Sequence, residues 1–359
     1  MADPNPTAQV VDTAAAGAVH SHPNNSAVAT LLPFSLPSWY AQFRANTMKT
    51  SVIHLTPDFM AWLCADGIVL PVECDYPDRL QASGSVREDG WSNDNDDDDD
   101  GWTDDEGDEG GGGEGSPGRV SFPELTARID EVIGEYGAVF PKMNWSAPKD
   151  ASWVNASTLK CTKAADVYTL LKASDFVNHD VLHGADMLVL RKWSNLHKSG
   201  EWRTFVCSGR ILAVAQRDCL ANYPFLILEK DAIVARILAF YGNQVAEKFR
   251  EDKFVMDVYV DRNSRVWLVD FNMYSEVTEA GLFSWAEILA LEERSKEGSL
   301  ASPEVRIVMD EKEVKGDPLA SYRAPIDAVD LASGHEFEKF MNLCEKQSQR
   351  DSDGGERRS

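Results

Sequence analysis

Residues 88–115 hold fourteen carboxylates and no basic side chain, and no other stretch limits the architecture of this chain so strongly. Trp91 and Trp102 are the only large apolar groups within it. Such a segment cannot bury enough surface to offset the entropy of ordering it, so residues 87–118 are expected to form a disordered acidic insert. Of the formal charge of −24, this run supplies −14, which leaves −10 for the other 331 residues. Patterned sequence resumes directly after it, so the insert is expected to interrupt a folded unit.

Outside the insert the chain can build a core: 43% of the 359 residues are hydrophobic and 9% aromatic. This length suggests one large or two small domains. A strongly acidic chain with no basic stripe is not expected to bind nucleic acid, because phosphate contacts need lysine and arginine. No apolar run reaches the roughly 18 residues of a membrane-spanning helix. The first Arg or Lys is Arg44, which argues against a secretory or transit leader. Six cysteines, Cys64, Cys74, Cys161, Cys207, Cys219 and Cys344, are dispersed without a C-x-x-C pair. Reduced thiols and a cytoplasmic location are therefore expected.

Residues 1–33 are rich in Ala, Pro and Asn and read as a flexible lead-in. Order is expected from Phe34, with a strand over Ser51–Leu55 and a helix from Pro57 to about Ala65. Ser121-Phe-Pro-Glu124 predicts a capping box that opens a helix through Leu125, Ile129, Val132, Ile133 and Tyr136. Ala138–Phe140 reads as a strand entering the loop Pro141–Asp150, and Met187–Leu190 as a buried strand running into Arg191, Lys192 and Trp193. Ser208-Gly209 predicts a two-residue turn between the strands Trp202–Cys207 and Arg210–Arg217. With Cys207 opposite Arg210, Arg203 and Phe205 share a face with Leu212, Val214 and Gln216, while Arg217 points the other way. A helix is expected around Asp231–Phe249. A second hairpin, Phe254–Val260 with Arg265–Asn272, puts Asp257 opposite Leu268 and diagonal to Asp270. Asp257, Asp270 and Asn272 then lie on one face. Ser284-Trp-Ala-Glu287 predicts a further capping box, opening a helix to about Arg294.

Several motifs fail on context. Gly110–Gly115 satisfies G-x-G-x-x-G, but no strand precedes it. Asp96–Gly101 imitates the start of a calcium loop, yet its twelfth position is Gly107. No phosphate-binding P-loop or G-x-S-x-G sequence occurs, and His179 and His183, four residues apart, lack a carboxylate at the base position. The Asp257, Asp270 and Asn272 set is different, because strands normally avoid Asp and Asn. Such hard oxygen ligands suit Mg²⁺ bridged to substrate phosphates. Lys142, Lys149, Arg203 and Arg217 are the cations available to those phosphates. By pattern alone, ordinary salt bridges between these acids and bases serve equally well.

Five phrases carry a resemblance: Phe140-Pro-Lys-Met-Asn-Trp-Ser-Ala-Pro-Lys-Asp-Ala151, Leu190-Arg-Lys-Trp193, Glu201-Trp-Arg-Thr-Phe-Val206 with Ala215-Gln-Arg-Asp218, Asp257-Val-Tyr259, and Val269-Asp-Phe-Asn272. Together they resemble the cell division cycle protein 123 family, in order from about Phe34 to Asp330. The resemblance implies an α+β, ATP-grasp-like fold whose two lobes, with antiparallel sheets, enclose Mg-ATP. It implies a first lobe from 34–86 and 119–189, a second from 190–300, a partner-docking segment over 301–346 and a flexible tail over 347–359. It also implies roles. Lys142, Trp145, Ala147 and Lys149 form a phosphate loop; Arg191, Lys192 and Trp193 form the strand whose main chain reads adenine. Arg203, Phe205, Gln216 and Arg217 complete the nucleotide site, and Asp257, Asp270 and Asn272 bind the metal.

The family's members are assembly chaperones for eukaryotic translation initiation factor 2, which implies a monomer that binds the factor's gamma subunit and uses ATP and Mg²⁺. Tyr322–Leu331, with Pro325 and alternating apolar residues, suits an extended docking arm. An active ATP-grasp ligase joining a carboxylate to an amine would use similar nucleotide chemistry. A third reading makes residues 88–115 the working part, capturing basic partners.

Overall fold

Two β-hairpins with different turns build the larger sheet. A computed structural model describes residues 30–74, 120–317 and 319–322 of the chain. The acidic insert and all of the docking arm beyond Tyr322 lie outside the described residues. Strands β4 (Glu201–Cys207) and β5 (Arg210–Gln216) are joined by Ser208 and Gly209, both with positive φ. That is the primed turn whose twist matches flanking strands. Strands β6 (Lys253–Val260) and β7 (Val266–Met273) form the second hairpin. With β8 (Glu304–Arg306), parallel to β5, the five strands run in the order β7-β6-β4-β5-β8. A smaller antiparallel sheet places β3 (Met187–Lys192) between β1 (Thr50–His54) and β2 (Val139–Lys142). The architecture is α+β with two lobes.

Seven helices among the described residues cover these sheets: α1 (Leu36–Phe43), α2 (Pro57–Cys64), α3 (Pro123–Tyr136), α4 (Ala164–Lys172), α5 (Asp175–Leu182), α6 (Leu226–Phe240) and α7 (Trp285–Lys296). The small sheet packs with α2, α3, α4 and α5 around Phe59, Ile129, Tyr168 and Leu188. One face of the large sheet packs with α1 and α6 around Trp39, Trp202, Met256 and Phe271. Its other face carries Phe205, Ala213, Ala215 and Val255 beneath Ile288 and Leu291 of α7.

Four expectations need correction. Leu36, Trp39 and Phe43, expected in the first lobe, belong to the core of the second, where Trp39 and Phe43 meet Phe271 edge-on. The lead-in expected to be loose as far as residue 33 includes a 3-10 turn over Leu32–Phe34. No capping box opens α3; Glu73 of the preceding segment takes the Phe122 N–H at 3.1 Å and the Ser121 hydroxyl. The helix expected over 231–249 starts at Leu226 and gives way after Phe240 to a wider turn, Tyr241–Val245. The box at Ser284 forms as expected, with Glu287.

Both hairpin registers also differ from strict alternation. Pairing starts at Cys207↔Arg210 and slips between Val206↔Ile211 and Phe205↔Ala213, so Leu212 is an extra residue. In the second hairpin Val258 pairs with Leu268 but Asp257 pairs with Asp270, which leaves Val269 as the extra. Each β-bulge turns what lies beyond it to the opposite face.

Gly200, just before β4, is packed against the second hairpin. A Cβ there would stand 2.6 Å from the Tyr259 ring and 2.7 Å from the Val260 carbonyl oxygen. We expect Gly200→Ala to lower stability by about 1–3 kcal/mol, as overpacking does, seen as a lower urea midpoint. An unchanged midpoint would show that Tyr259 is free to move.

Candidate functional site

Because of the first bulge, Arg203 faces Ala215 rather than Val214, and Arg217 falls on the Arg203 face, its N–H donating to the Glu201 carbonyl at 3.0 Å. This corrects the expected orientations of both Arg217 and Gln216. Gln216 lies on the far face opposite Trp202, fully buried. Its amide donates to the Asp218 and Ala221 carbonyls and accepts the Val308 N–H, so it braces a loop and does not reach the cleft. Phe205 is on the cleft face but wholly buried, edge-on to Phe283 and Trp285.

The second bulge sets Asp257 directly across from Asp270, with Asn272 two residues further along. Asp257 is 3% exposed and is gripped by three donors. Arg203 spans its two oxygens at 2.8 Å each, Arg217 Nε reaches Oδ2 at 3.1 Å, and Asn272 Nδ2 lies 3.3 Å from the same oxygen. Burial pushes the Asp257 carboxyl up, but the two guanidiniums outweigh it and hold the group well below the usual carboxylate range. Asp257 in turn raises Arg217.

The first lobe, whose small sheet runs on through Lys192 and does not end at residue 189 as expected, supplies the facing cations. Lys142, at the end of β2, donates to Asp270 and to the Trp145 carbonyl. Arg191 of β3 donates to the Val269 carbonyl at 2.7 Å and to Thr47 at 2.8 Å, so it holds the bulge itself, while its buried Nε has no acceptor. Lys192 and Trp193 sit apart. Their N–H groups donate to the Lys49 and Ala138 carbonyls, and Trp193 packs edge-on to Phe140. With both donors engaged in the small sheet, the expected adenine-reading main chain has no N–H to offer at these positions.

The loop after β2 is fixed by side chains that pattern reading did not single out. Asp180 of α5 accepts from the N–H groups of Trp145 (3.2 Å) and Ser146 (2.7 Å) and from the Ser146 hydroxyl (2.8 Å). Asp150 accepts from the Ser174 hydroxyl and the Phe176 N–H. Helix α5 thus pins the loop at both ends, and Ala147 and Lys149 lie between. Trp145 packs against the cores of both lobes, its indole N–H on the Leu31 carbonyl. The exposed Lys149 ammonium is drawn down to about 8 by the positive charge of Arg217, with desolvation adding to the effect.

A cavity of about 340 Å³ adjoins this cluster, lined in part by Trp145, Ser146, His179, Asp180, His183 and Asn272. Another of similar volume, under Trp202, Phe225 and Tyr259, touches none of the charged set. Among the described residues no group of three His, Cys, Asp or Glu side chains converges on a metal position, the five cysteines are unpaired, and no helix is long and apolar enough to cross a membrane.

The fold and the cleft define a two-lobed α+β protein with a buried acid–base cluster where the lobes meet. The D123 family pattern matches residues 39–332, and the chain belongs to that family. It is 32% identical to the translation initiation factor eIF2 assembly protein of Xenopus tropicalis, covering 88% of this chain and 96% of that one. The protein of the same description from Dictyostelium discoideum is 34% identical, with 82% and 90% covered. Among solved structures, Cdc123 from Schizosaccharomyces pombe superposes with a TM-score of 0.57 at 29% identity, covering 79% of this chain and 98% of that one.

Asp257→Asn would leave the buried Arg203 and the partly buried Arg217 without their counter-charge, and we expect it to cost about 3 kcal/mol at pH 7. Because the native carboxyl lies below its unfolded value, the contribution is full above about pH 4 and is lost as the pH falls toward the lowered native value. Denaturant titrations should therefore show the gap between wild type and variant closing below about pH 4. A gap unchanged by acid would refute the charge assignment.

Proposed function

We propose that this chain is an assembly chaperone for eukaryotic translation initiation factor 2, and that it holds Mg-ATP between its lobes and binds the factor's gamma subunit. Kinship with proteins described as eIF2 assembly proteins supports the first part. The observation that supports the nucleotide reading is the gathering of cations from both lobes in one cleft. Lys142, Lys149, Arg191, Arg203 and Arg217 are collected around Asp257, Asp270 and Glu201, and one guanidinium nitrogen is buried without an acceptor. Such a set of cations suits a polyphosphate, and arginine suits phosphate geometry.

The residues also fit a magnesium ion. Asp270 and Asn272 offer oxygen ligands, and Oδ1 of Asp257 keeps one lone pair beyond that used by Arg203, whereas Oδ2 already accepts from both guanidiniums. ATP supplies a multivalent anion and Mg²⁺ the charge that moderates it. Lys142 and Lys149 belong to the first lobe and Arg203 and Arg217 to the second, so one bound anion would attract both and hold the lobes closed. The partner contact is assigned to the segment that starts at Tyr322, whose ring meets Phe176 edge-on beside the α5-lined cavity.

A second reading, a carboxylate–amine ligase, gains from that cavity, because a ligase needs an acceptor pocket beside the terminal phosphate. Phosphate release that depends on a small carboxylic acid would favour it.

Calorimetry of Mg-ATP binding tests the site. Wild type should bind, and Asp270→Ala should bind at least tenfold more weakly, about 1.4 kcal/mol. Equal affinities would dispose of the nucleotide site at this face. The full chain should retain the gamma subunit in a pull-down and lose it when residues 323–331 are deleted. Undiminished capture would remove the arm from the interface.

A further inference from the structure

His179 and His183 stand one turn apart at the C-terminal end of α5, and neither takes part in the acid–base cluster. Their rings face each other across 4.1 Å, with planes 29° apart, on the wall of the α5-lined cavity. Neither ring is ion-paired with a carboxylate among the described residues. Asp180, between them in sequence, is committed elsewhere, since both of its oxygens accept from Trp145 and Ser146.

His183 is oriented as a metal ligand would be. Its Nδ1 lies 2.8 Å from the His179 carbonyl oxygen. That oxygen can only accept, so in the neutral ring Nδ1 carries the proton and Nε2 the lone pair. Imidazoles that bind metals are commonly held in this way, the second nitrogen donating to a backbone carbonyl or a carboxylate. His179 is exposed, and neither of its ring nitrogens is hydrogen-bonded among the described residues, so its ring is free to turn about χ2. Histidines at positions i and i+4 project from one helix face, the spacing at which two imidazoles chelate a single ion. The free carbonyls at the end of a helix also favour positive charge there.

We propose that His179 and His183 form a bidentate site for a borderline divalent transition-metal ion, of the Co²⁺, Ni²⁺, Cu²⁺ and Zn²⁺ kind. Imidazole nitrogen suits these ions, whereas Mg²⁺ takes oxygen. Two protein ligands leave the other coordination positions open, and the adjoining cavity of about 340 Å³ has room for water or an anion. A bound ion would fix the end of α5, the helix that pins the loop after β2, without entering the Asp257 cluster.

Ni²⁺ is the probe, and no nucleotide is needed. His20 and His22 lie outside the described residues and form another close pair in sequence, so the background is the full-length protein carrying His20→Asn and His22→Asn. With Mg²⁺ in excess, calorimetry should show one Ni²⁺ bound per chain. Adding His179→Asn or His183→Asn should weaken binding at least tenfold, whereas adding His54→Asn should leave it unchanged. In the unaltered chain the paramagnetic ion should broaden the ring-proton signals of His179 and His183 ahead of those of His54 and His197, which decides the matter if a variant does not fold. No binding, or an affinity that survives both substitutions, would overturn the proposal. Binding seen only without Mg²⁺ would move the ion to the oxygen ligands of the Asp257 face and would overturn it as well.

Discussion

A single carboxylate, that of Asp257, holds the cleft together. It sits at the middle of the large sheet, where the apolar part of one face gives way to a charged part. Two guanidiniums share it, one on the neighbouring strand and one just past the strand after that. Taking three charges out of water carries a penalty of several kcal/mol per ion, which their attraction repays only when the geometry is good and the remaining lone pairs are met. Two parallel Arg203 bonds of 2.8 Å meet that condition. Apolar groups of similar volume often hold a fold as well as a buried ion cluster does, so packing alone does not account for this one.

The cluster also explains the bulges. An unbroken register would have put Arg217 on the face occupied by Trp202 and Met256, and Asp270 level with the apolar pairs of the hairpin's far end. One extra residue in each hairpin, Leu212 and Val269, switches the face so that charge collects on one side at the cleft and apolar packing continues on the other. The Val269 carbonyl then accepts from Arg191 of the other lobe, and the bulge becomes part of the joint between lobes. Lys142 on Asp270 and Trp145, wedged against both cores, complete that joint.

How much of this could be read beforehand depended on whether the cause was local. The turn at Ser208-Gly209 and the capping box at Ser284 were legible because each depends on residues a few positions apart. The gathering of Asp257, Asp270 and Asn272 on one face was reached through a pairing one residue out at the turn, where Val260 faces Val266 and not Arg265; the bulge at Val269 adds a second residue and restores the face. The bulges were not legible, because Leu212 and Val269 are ordinary strand residues and only the completed sheet marks them as extra. That failure misplaced Arg217 and Gln216 together, as one slip moves every residue beyond it. Asp180 escaped notice because its value lies in bonds to a loop 34 residues away. The place of α1 in the second core is likewise a matter of tertiary packing, invisible in chain order.

Net charge would suggest that so acidic a molecule repels anions. At physiological ionic strength, however, charges separated by more than about 8 Å are largely screened from one another in solvent. More than half of the −24 lies in residues 88–115, whereas the guanidiniums of Arg203 and Arg217 lie within bonding distance of the Asp257 they neutralise. A group entering the cleft would meet partly dehydrated charges, among which Coulomb forces are several times stronger than in bulk water. The side chains gathered there from both lobes, and not the net charge, would then set the field that it experiences. Net charge and the local field of the cleft are separate properties, because a few ångströms of protein interior count for more than a total summed over the whole chain.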